Sequence, residues 1–409
     1  MNNNTSLETW TSYAPNRVNR LWMALVLGAL SALAPLSIDM YLPSLPELAK
    51  NLHATASQAQ LSLTACLLGL AFGQVIAGPI SDARGRRAPL VIGMAIYTVT
   101  SLSCALTSSI WLLIVLRLLQ GLSGSAGIVI ARAIVRDYFS GSEMTRFFAR
   151  LMLVNGAAPI LAPIIGAQLL RFMSWHGVFI VLAVLGVLML VGVLIGVPES
   201  LPVEQRATGG LAATLSTMRN LLSDRVFMGF VLSQGLVFAA MFAYIAGSPF
   251  VLQNIFGVSP QVFSLIFAMN GLGIIISGQI GGHLSARAGE RPLLVAGLIT
   301  ASVGSLLLFA AILFVPTLSS VLPPLFLVVS SVGIVSATST SLALQNQSKS
   351  AGSASALIGL SGMLAGSLVT PLVGVAGGNA DLPMALVILV CDLSAIAFYF
   401  LLARRQVAG

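Results

Sequence analysis

The chain has 409 residues, of which 57% are hydrophobic and only 8% are charged, and its mean hydropathy is +0.98. A water-soluble domain carries roughly a quarter charged residues, so the composition excludes a soluble globular protein and favours one embedded in lipid. The net charge is +8. The basic residues lie in short gaps between apolar runs and form no basic stripe, which argues against a nucleic-acid-binding protein.

The apolar runs predict twelve spanning helices, because a helix needs roughly 20 mostly apolar residues to cross a bilayer. These spans 1 to 12 lie near 21–41, 59–79, 89–107, 110–133, 147–170, 177–197, 226–247, 261–281, 292–314, 320–343, 354–375 and 382–403. We expect tails at 1–20 and 404–409, six-helix bundles at 21–197 and 226–403, and a linker at 198–225. The predicted fold class is an all-α integral membrane protein.

The distribution of basic residues predicts the orientation of the chain. An even number of spans places both termini on one side of the membrane. With the N-terminus inside, seventeen of the 20 Lys and Arg residues lie on the inner side, Lys50 and Arg171 lie outside, and Arg117 lies within a span. The positive-inside rule therefore predicts two cytoplasmic termini.

The two halves of the chain share a repeated segment. Gly78-Pro-Ile-Ser-Asp-Ala-Arg-Gly85 lies between spans 2 and 3, and Gly282-His-Leu-Ser-Ala-Arg-Ala-Gly289 follows 204 residues later, between spans 8 and 9. Gly, Ser and Gly recur at this one offset. Two related halves predict a central pathway between them and alternating access by rocking of one half against the other.

Several segments carry a resemblance to a known family. Gly78-Pro-Ile-Ser-Asp-Ala-Arg-Gly-Arg-Arg87 resembles the loop signature of the major facilitator superfamily. Ala34-Pro-Leu-Ser-Ile-Asp-Met-Tyr-Leu-Pro-Ser-Leu-Pro46, Leu116-Arg-Leu-Leu-Gln-Gly121 and Asn155-Gly-Ala-Ala-Pro-Ile-Leu-Ala-Pro-Ile-Ile-Gly166 resemble the bicyclomycin/chloramphenicol-resistance (Bcr/CflA) type of drug:proton antiporter.

This resemblance implies two pseudo-symmetric six-helix bundles in the bacterial inner membrane. It also implies proton-coupled export of antibiotics, with amphenicol-like or bicyclomycin-like substrates favoured. Fold does not fix function, so a proton-coupled transporter of an amino acid or a nucleoside is the alternative.

Three ionisable residues within spans are candidates for proton coupling: Asp39, Arg117 and Asp392. An ionisable side chain within a span is costly and usually faces a cavity or a partner. Alternatively, Asp39 ends span 1 at the outer interface, and Arg117 is a structural pillar bonded to backbone carbonyls. Asp392 is either a second titrating group or the partner of a hydroxyl or an Arg in the interior.

A second set of residues is predicted to line a substrate pocket, because drug sites are mostly apolar with a few polar anchors. This set contains Asp39, Tyr41, Gln120, Asn155, Phe238, Met241, Phe242, Tyr244 and Asn270. The alternative for the Met and Phe residues of span 7 is a stripe that faces lipid or core.

A third set is predicted to act in gating. It contains Gly78, Asp82, Arg84, Gly85, Arg86, Asp137, Pro159 and Pro163. If the turn is helical, Asp82 and Arg86 are spaced to form an ion pair. The resemblance implies that Asp137 joins this network. It also implies that Pro159 and Pro163 lie at an interface between span 5 and span 8. The alternative for the charged members is a purely topogenic role.

Chemistry of other kinds finds no support in the sequence. There is no GxxxxGK-S/T loop for ATP, no defensible nucleophile and base, and no metal-ligand spacing around His53, His176 or His283. We expect no enzymatic activity, cofactor or metal. The expected partners are a small amphipathic drug or metabolite, protons and the lipid bilayer, with the chain acting as a monomer and binding no nucleic acid.

Overall fold

The computed structural model describes residues 17–206, 219–345, 347, 351–374 and 381–403. Most of the predicted tail at 1–20, the middle of the predicted linker at 198–225 and the predicted tail at 404–409 lie outside the described residues. The described part of the chain is helical and contains no strand.

Twelve helices of the described residues are long and apolar enough to cross a bilayer, as predicted. In chain order they are α1 Arg17–Asp39, α2 Ala56–Arg84, α3 Arg87–Leu106, α4 Ile110–Tyr138, α5 Gly141–Leu169, α6 Trp175–Gly196, α7 Arg225–Pro249, α8 Pro260–Ala288, α9 Glu290–Phe314, α10 Leu318–Leu344, α11 Ala351–Val373 and α12 Asp381–Phe398. Helices α1–α6 form one half of the molecule and α7–α12 the other.

Several helices are longer than their apolar runs. Helix α2, predicted near 59–79, runs from Ala56 to Arg84, and α8, predicted near 261–281, runs from Pro260 to Ala288. Hydropathy marks only the part of a helix that lies in lipid, whereas backbone hydrogen bonds continue into the polar flanks. The spans were therefore located correctly, but these ends were placed several residues short.

Helix α1 ends at Asp39, two residues before the predicted end of span 1. A 3₁₀ turn, Leu42–Ser44, and a short helix, Leu45–Asn51, follow it. Pro43 and Pro46 are the second residues of these two elements. Proline cannot donate a backbone hydrogen bond and so starts helices more readily than it continues them, which explains the broken course of the chain after Asp39.

The repeat seen in the sequence is present in the backbone. Thr55 caps the start of α2 through its side chain, and Ser259, 204 residues later, caps the start of α8 in the same way. Gly85 and Gly289 follow the ends of α2 and α8 with φ of +90° and +81°, a conformation that favours glycine. The two halves are therefore pseudo-symmetric.

At one end of the molecule the two halves share a single hydrophobic core. Leu42 and Leu63 of the first half and Phe250 and Leu325 of the second belong to the same buried cluster. We call this the Pro43 end. Contacts of α2 with α11, of α5 with α8, and of the 3₁₀ turn with α7 and α8 join the halves.

At the opposite end, which we call the Arg86 end, each half has a core of its own. Leu90 and Leu151 belong to a buried cluster of the first half, and Phe230 and Leu294 belong to a separate cluster of the second half. Among the described residues, the buried core is thus continuous between the halves only at the Pro43 end. The buried packing between the halves is therefore concentrated at the Pro43 end.

Candidate functional site

The Asp39 side chain is buried where the two halves meet. Asp39 is the last residue of α1 and is 5% exposed, and the residues that follow it enter the shared core. No hydrogen bond or ion pair joins its carboxylate to another described residue. Tyr244 of the other half is an electrostatic neighbour of this carboxylate. A buried acid without a counter-ion is stable only as a neutral carboxyl or beside water, and the role of Asp39 in proton coupling stays a prediction.

Helix α5 holds the chain turn beside Asp39. Gly166 lies so close to Met40 that a Cβ on Gly166 would be 1.8 Å from the Met40 carbonyl oxygen. Only glycine permits this approach, and the contact fixes the backbone next to Asp39.

The predicted prolines Pro159 and Pro163 lie inside α5, which remains one helix. On the same helix, Gly156 and Ile160 face Ile275 and Gly271 of α8, and a Cβ on Gly271 would be 3.1 Å from Ile160. The predicted contact of span 5 with span 8 is therefore present. Its role in gating stays a prediction.

Arg117 on α4 is enclosed by the first half and does not pair with Asp39. Its guanidinium donates to Gln120 Oε1 at 2.6 Å and to the Ser37 carbonyl oxygen at 2.9 Å. It also lies 4.4 Å from the centre of the Tyr41 ring, a distance that suits a cation–π interaction. The side chain is 0% exposed. This geometry fits the structural alternative, in which Arg117 braces the end of α1, and a coupling role stays a prediction.

Further hydrogen bonds extend this support around Arg117. Gln120 Nε2 donates to Ser101 Oγ at 2.7 Å, and the hydroxyls of Ser37 and Tyr97 are 2.7 Å apart. Tyr41 is fully buried, with its hydroxyl 3.4 Å from that of Ser62. The predicted pocket residues Tyr41 and Gln120 thus bind Arg117. Sequence reasoning missed Ser37, Tyr97 and Ser101, since buried Ser and Tyr in apolar helices carry no distinguishing local signal.

Two of the predicted pocket residues of α7 pack against another helix. Phe238 and Phe242 pack against α11, where a Cβ on Gly362 would be 3.4 Å from Phe238 and one on Gly366 would be 2.3 Å from Phe242. Small residues at these two positions let the helices approach closely. The aromatic stripe therefore packs at least in part against protein.

Tyr244 and Asn270 form a polar pair in the second half, and Tyr244 lies within electrostatic range of Asp39. Asn270 Nδ2 donates to the Tyr244 hydroxyl at 2.8 Å, and both side chains are buried. Met241 on α7 is half-buried. Asn155 is also half-buried and donates to the Leu151 carbonyl within α5. The structure therefore joins Tyr244 and Asn270 of the predicted pocket and places Tyr244 within electrostatic range of Asp39.

Asp392 on α12 lies apart from this group. It is 0% exposed, and neither of its carboxylate oxygens has a hydrogen-bond partner among the described residues. Helix α12 packs against α7 and α9, and Ser305 of α9 is adjacent to the carboxyl, with its hydroxyl bonded to the Ser302 carbonyl. Asp392 is thus a second buried acid, inside the second half.

A charged network lies at the Arg86 end. The Arg86 side chain donates to Asp137 Oδ2 at 3.0 Å, to Ser81 Oγ at 2.9 Å and to Asp82. Burial lowers the pKa of the Arg86 guanidinium, but the hydrogen bonds to Asp137 and Asp82 more than offset this, so its pKa is raised. These partners all belong to the first half, so the network ties α2 to the end of α4.

Glu199, just after α6, completes this network and was missed by sequence reasoning. Its carboxylate accepts the backbone N–H of Arg86 at 2.7 Å and that of Arg87 at 3.1 Å. Burial raises the pKa of Glu199, but the hydrogen bonds from Arg86, Leu201 and Arg87 outweigh it, so its pKa is lowered. The sequence feature that could have identified Glu199 is a single acidic residue directly after an apolar run, on the arginine-rich side of the membrane.

The predicted glycines at this end have different surroundings. Gly85 has φ of +90°, and a Cβ there would be 2.5 Å from Glu199 Oε2, so both conformation and space require glycine. Gly78 faces Val129 of α4, from which a Cβ would be 3.7 Å away. Arg84 is the exposed last residue of α2.

Comparison with known proteins agrees with this architecture. An "Uncharacterized MFS-type transporter YdgK" of Bacillus subtilis (strain 168) is 43% identical over 96% of this chain and 98% of its own length. A "Bicyclomycin resistance protein homolog" of Haemophilus influenzae is 30% identical over 93% of this chain and 96% of its own length. A "Chloramphenicol resistance protein" of Pseudomonas aeruginosa is 31% identical over 88% of this chain and 85% of its own length.

The fold also matches a solved transporter structure. A bacterial homolog of the human lysosomal transporter Spinster, in an inward-facing and unoccupied conformation, aligns with a TM-score of 0.74 at 14% identity, over 95% of this chain and 98% of that one. Residues 27–370 match the sequence profile of the Major Facilitator Superfamily. The chain is therefore a multi-pass membrane protein with the major facilitator fold, and it belongs to the Major Facilitator Superfamily of transporters.

Proposed function

We propose that this protein exports small amphipathic antibiotics across the bacterial inner membrane in exchange for protons. Two relatives whose names refer to bicyclomycin and chloramphenicol resistance support antibiotic-like cargo. The distribution of basic residues supports cytoplasmic termini. In this orientation the Arg86 end faces the cytoplasm, and the protein acts as a monomer.

The observation that carries the proposal is the buried, unpaired carboxyl of Asp39 between the two halves. Asp39 lies within electrostatic range of Tyr244 of the opposite half, which accepts a hydrogen bond from Asn270. At this position, either a bound proton or a bound polar cargo molecule would compensate the cost of burying the carboxylate. If each ligand weakens the binding of the other, their competition is sufficient for antiport.

The proposed cycle starts from an inward-open state. Cargo enters from the cytoplasm or the inner leaflet and displaces the proton from Asp39. The halves then rock so that the Pro43 end opens and cargo leaves, and a proton from outside reoccupies Asp39. Asp392 acts as a second proton-binding group within the second half. The network of Arg86 with Asp82 and Asp137 forms the inner gate.

The test uses inverted membrane vesicles with an acidic interior, in which a fluorescent dye reports the pH gradient. Adding chloramphenicol, or in a separate assay bicyclomycin, should partly collapse the gradient in vesicles with the native protein. Asp39→Asn should abolish this response, because an amide cannot exchange the proton. Asp381→Asn, at the partly exposed start of α12, is the matched control and should respond like the native protein.

Three outcomes would contradict parts of the proposal. An unchanged response in Asp39→Asn removes Asp39 as the proton site. An unchanged response in Asp392→Asn removes the second proton group only. A gradient that responds to an amino acid or a nucleoside, and to neither antibiotic, replaces drug export by metabolite transport.

A further inference from the structure

Four side chains form hydrogen bonds between the two halves at the Pro43 end. Gln60 Nε2 donates to the Ala246 carbonyl at 3.1 Å, and Ser57 Oγ donates to the Pro371 carbonyl at 3.3 Å. In the opposite direction, Gln253 Nε2 donates to the Pro43 carbonyl at 3.1 Å and Gln261 Nε2 to the Ala167 carbonyl at 2.9 Å. We propose that these four uncharged bonds form a clamp that holds the Pro43 end closed and sets the balance between the two states of the transporter.

Two of the bonds are related by the internal repeat. Ser57 and Gln261 are 204 residues apart, and their acceptors Ala167 and Pro371 are also 204 residues apart. Each half thus donates from the start of one helix to the end of a helix in the other half. This reciprocity is what a pseudo-twofold axis between the halves requires.

Three acceptors of the clamp are carbonyls near helix ends. Ala167 and Pro371 lie in the last turns of α5 and α11, and Ala246 lies near the end of α7. The last four carbonyls of an α-helix lack the usual donor within it, and the Pro371 carbonyl also accepts the Gly374 N–H at 3.3 Å. In the closed state a side chain of the opposite half supplies the donor, and on opening water can take its place.

The approach of α11 to α2 is close enough to need glycine. A Cβ on Gly374, just after α11, would be 2.5 Å from Gln60 Oε1 and 2.6 Å from Ser57. The start of α2 therefore sits directly on the end of α11, where two of the four clamp bonds are made.

The clamp contains no ionised group. The ion pairs of Arg86 with Asp82 and Asp137 lie within the first half and do not cross to the second. The closed Pro43 end should therefore be insensitive to ionic strength, because salt screens charges and has little effect on neutral hydrogen bonds. The proposal depends on the fold and is independent of which cargo is carried.

The test measures the opening of the Pro43 end directly. Spin labels are placed at Phe172→Cys, in the loop between α5 and α6, and at Phe314→Cys, the last residue of α9, which are 87% and 79% exposed. They report distances by pulsed electron paramagnetic resonance in lipid nanodiscs. The three native cysteines are buried and should stay unlabelled. The expected native result is a mainly short distance that does not change between about 0.1 and 0.5 M salt.

Removing a clamp donor should shift the population towards a longer distance. We expect about a five-fold change in the ratio of the two populations for Gln261→Ala or Gln60→Ala, the effect of losing one ordinary hydrogen bond. The double variant should shift the ratio by about the product of the two, because the two donors contact different acceptors. Gln168→Ala, an exposed glutamine beside Ala167, is the matched control and should match the native protein.

Unchanged distances in the double variant would overturn the proposal. An equal shift in Gln168→Ala and Gln261→Ala would do the same, since it would show a nonspecific effect. If buried Gln60→Ala fails to fold, Gln253→Ala and Ser57→Ala, whose side chains are only partly buried, provide the same comparison.

Discussion

Two glycines determine how closely the second and fourth helices of each half approach. A Cβ on Gly121 of α4 would lie 2.2 Å from the Cys66 carbonyl oxygen of α2, and one on Gly333 of α10 would lie 2.1 Å from the Ile274 carbonyl oxygen of α8. Real Cβ atoms essentially never approach another heavy atom within 3.0 Å. Gly121→Ala and Gly333→Ala therefore force each pair of backbones apart by about 1 Å.

The cost of this separation follows from two opposing effects. Overpacking a well-packed contact costs about 1–3 kcal/mol, and backbone atoms on both sides leave no flexible side chain to move. Replacing glycine by alanine within a helix stabilises the helix by about 1 kcal/mol, which offsets part of this cost. Because only backbone atoms could move, the cost lies at the upper end of that range, about 3 kcal/mol. We therefore expect a net loss of about 2 kcal/mol for each variant, which lowers the midpoint of thermal unfolding by about 5 °C for halves of this size.

The control is the same substitution where space is free. Gly359→Ala in α11 would place its Cβ with no heavy atom within 4 Å, so it should be neutral or slightly stabilising. Thermal unfolding of the purified protein in detergent, followed by the loss of its monodisperse peak, compares the three variants. A midpoint for Gly121→Ala equal to or above that of Gly359→Ala would refute the packing argument.

The remaining predictions concern two charged groups. Arg117→Lys keeps the charge but loses the planar fork that bonds Gln120 and the Ser37 carbonyl, so we expect a loss of about 2 kcal/mol in unfolding free energy; an unchanged unfolding midpoint would contradict a bracing role. The pKa of Glu199 is lowered from its ordinary value of 4.5, so its stabilisation of the Arg86 amide is fully present above that value and is lost as the pH falls through the lowered pKa. Hydrogen exchange at the Arg86 amide, compared with intrinsic rates, should lose protection in the native protein only as the pH falls below 4.5, through the lowered pKa of Glu199. Glu199→Gln should show no such step, and a step that persists in this variant would contradict the assignment.

The sequence was sufficient for much of the architecture. Long apolar runs located all twelve helices, because crossing lipid requires both length and apolarity. The offset between Gly85 and Gly289 predicted two related halves, and both glycines have the positive φ that only glycine adopts easily. The pairing of Asp82 with Arg86 was predicted from their spacing of four residues, and it forms although α2 ends at Arg84, between the two residues.

The site was less predictable, because its contacts join distant parts of the chain. The hydroxyls of Ser37 and Tyr97 meet across 60 residues, and Glu199 reaches the Arg86 amide across 113 residues. Neither contact leaves a periodic pattern in the sequence. Arg117 could be identified as exceptional from its place in a span, but its partners depend on how α1 breaks at Asp39 and turns over α4.

The two ends of the molecule differ in the kind of bond that they use, and this difference suits a protein that must open repeatedly. An ordinary neutral hydrogen bond contributes only about 1 kcal/mol net, since water replaces the lost partner on opening. Separating a buried ion pair is far costlier, about 3–5 kcal/mol when one charge is left buried. The bonds that cross between the halves at the Pro43 end are neutral, whereas the ion pairs of Arg86 stay within one half. A barrier built from several weak, replaceable bonds is low enough for one proton or one cargo molecule at Asp39 to shift the balance.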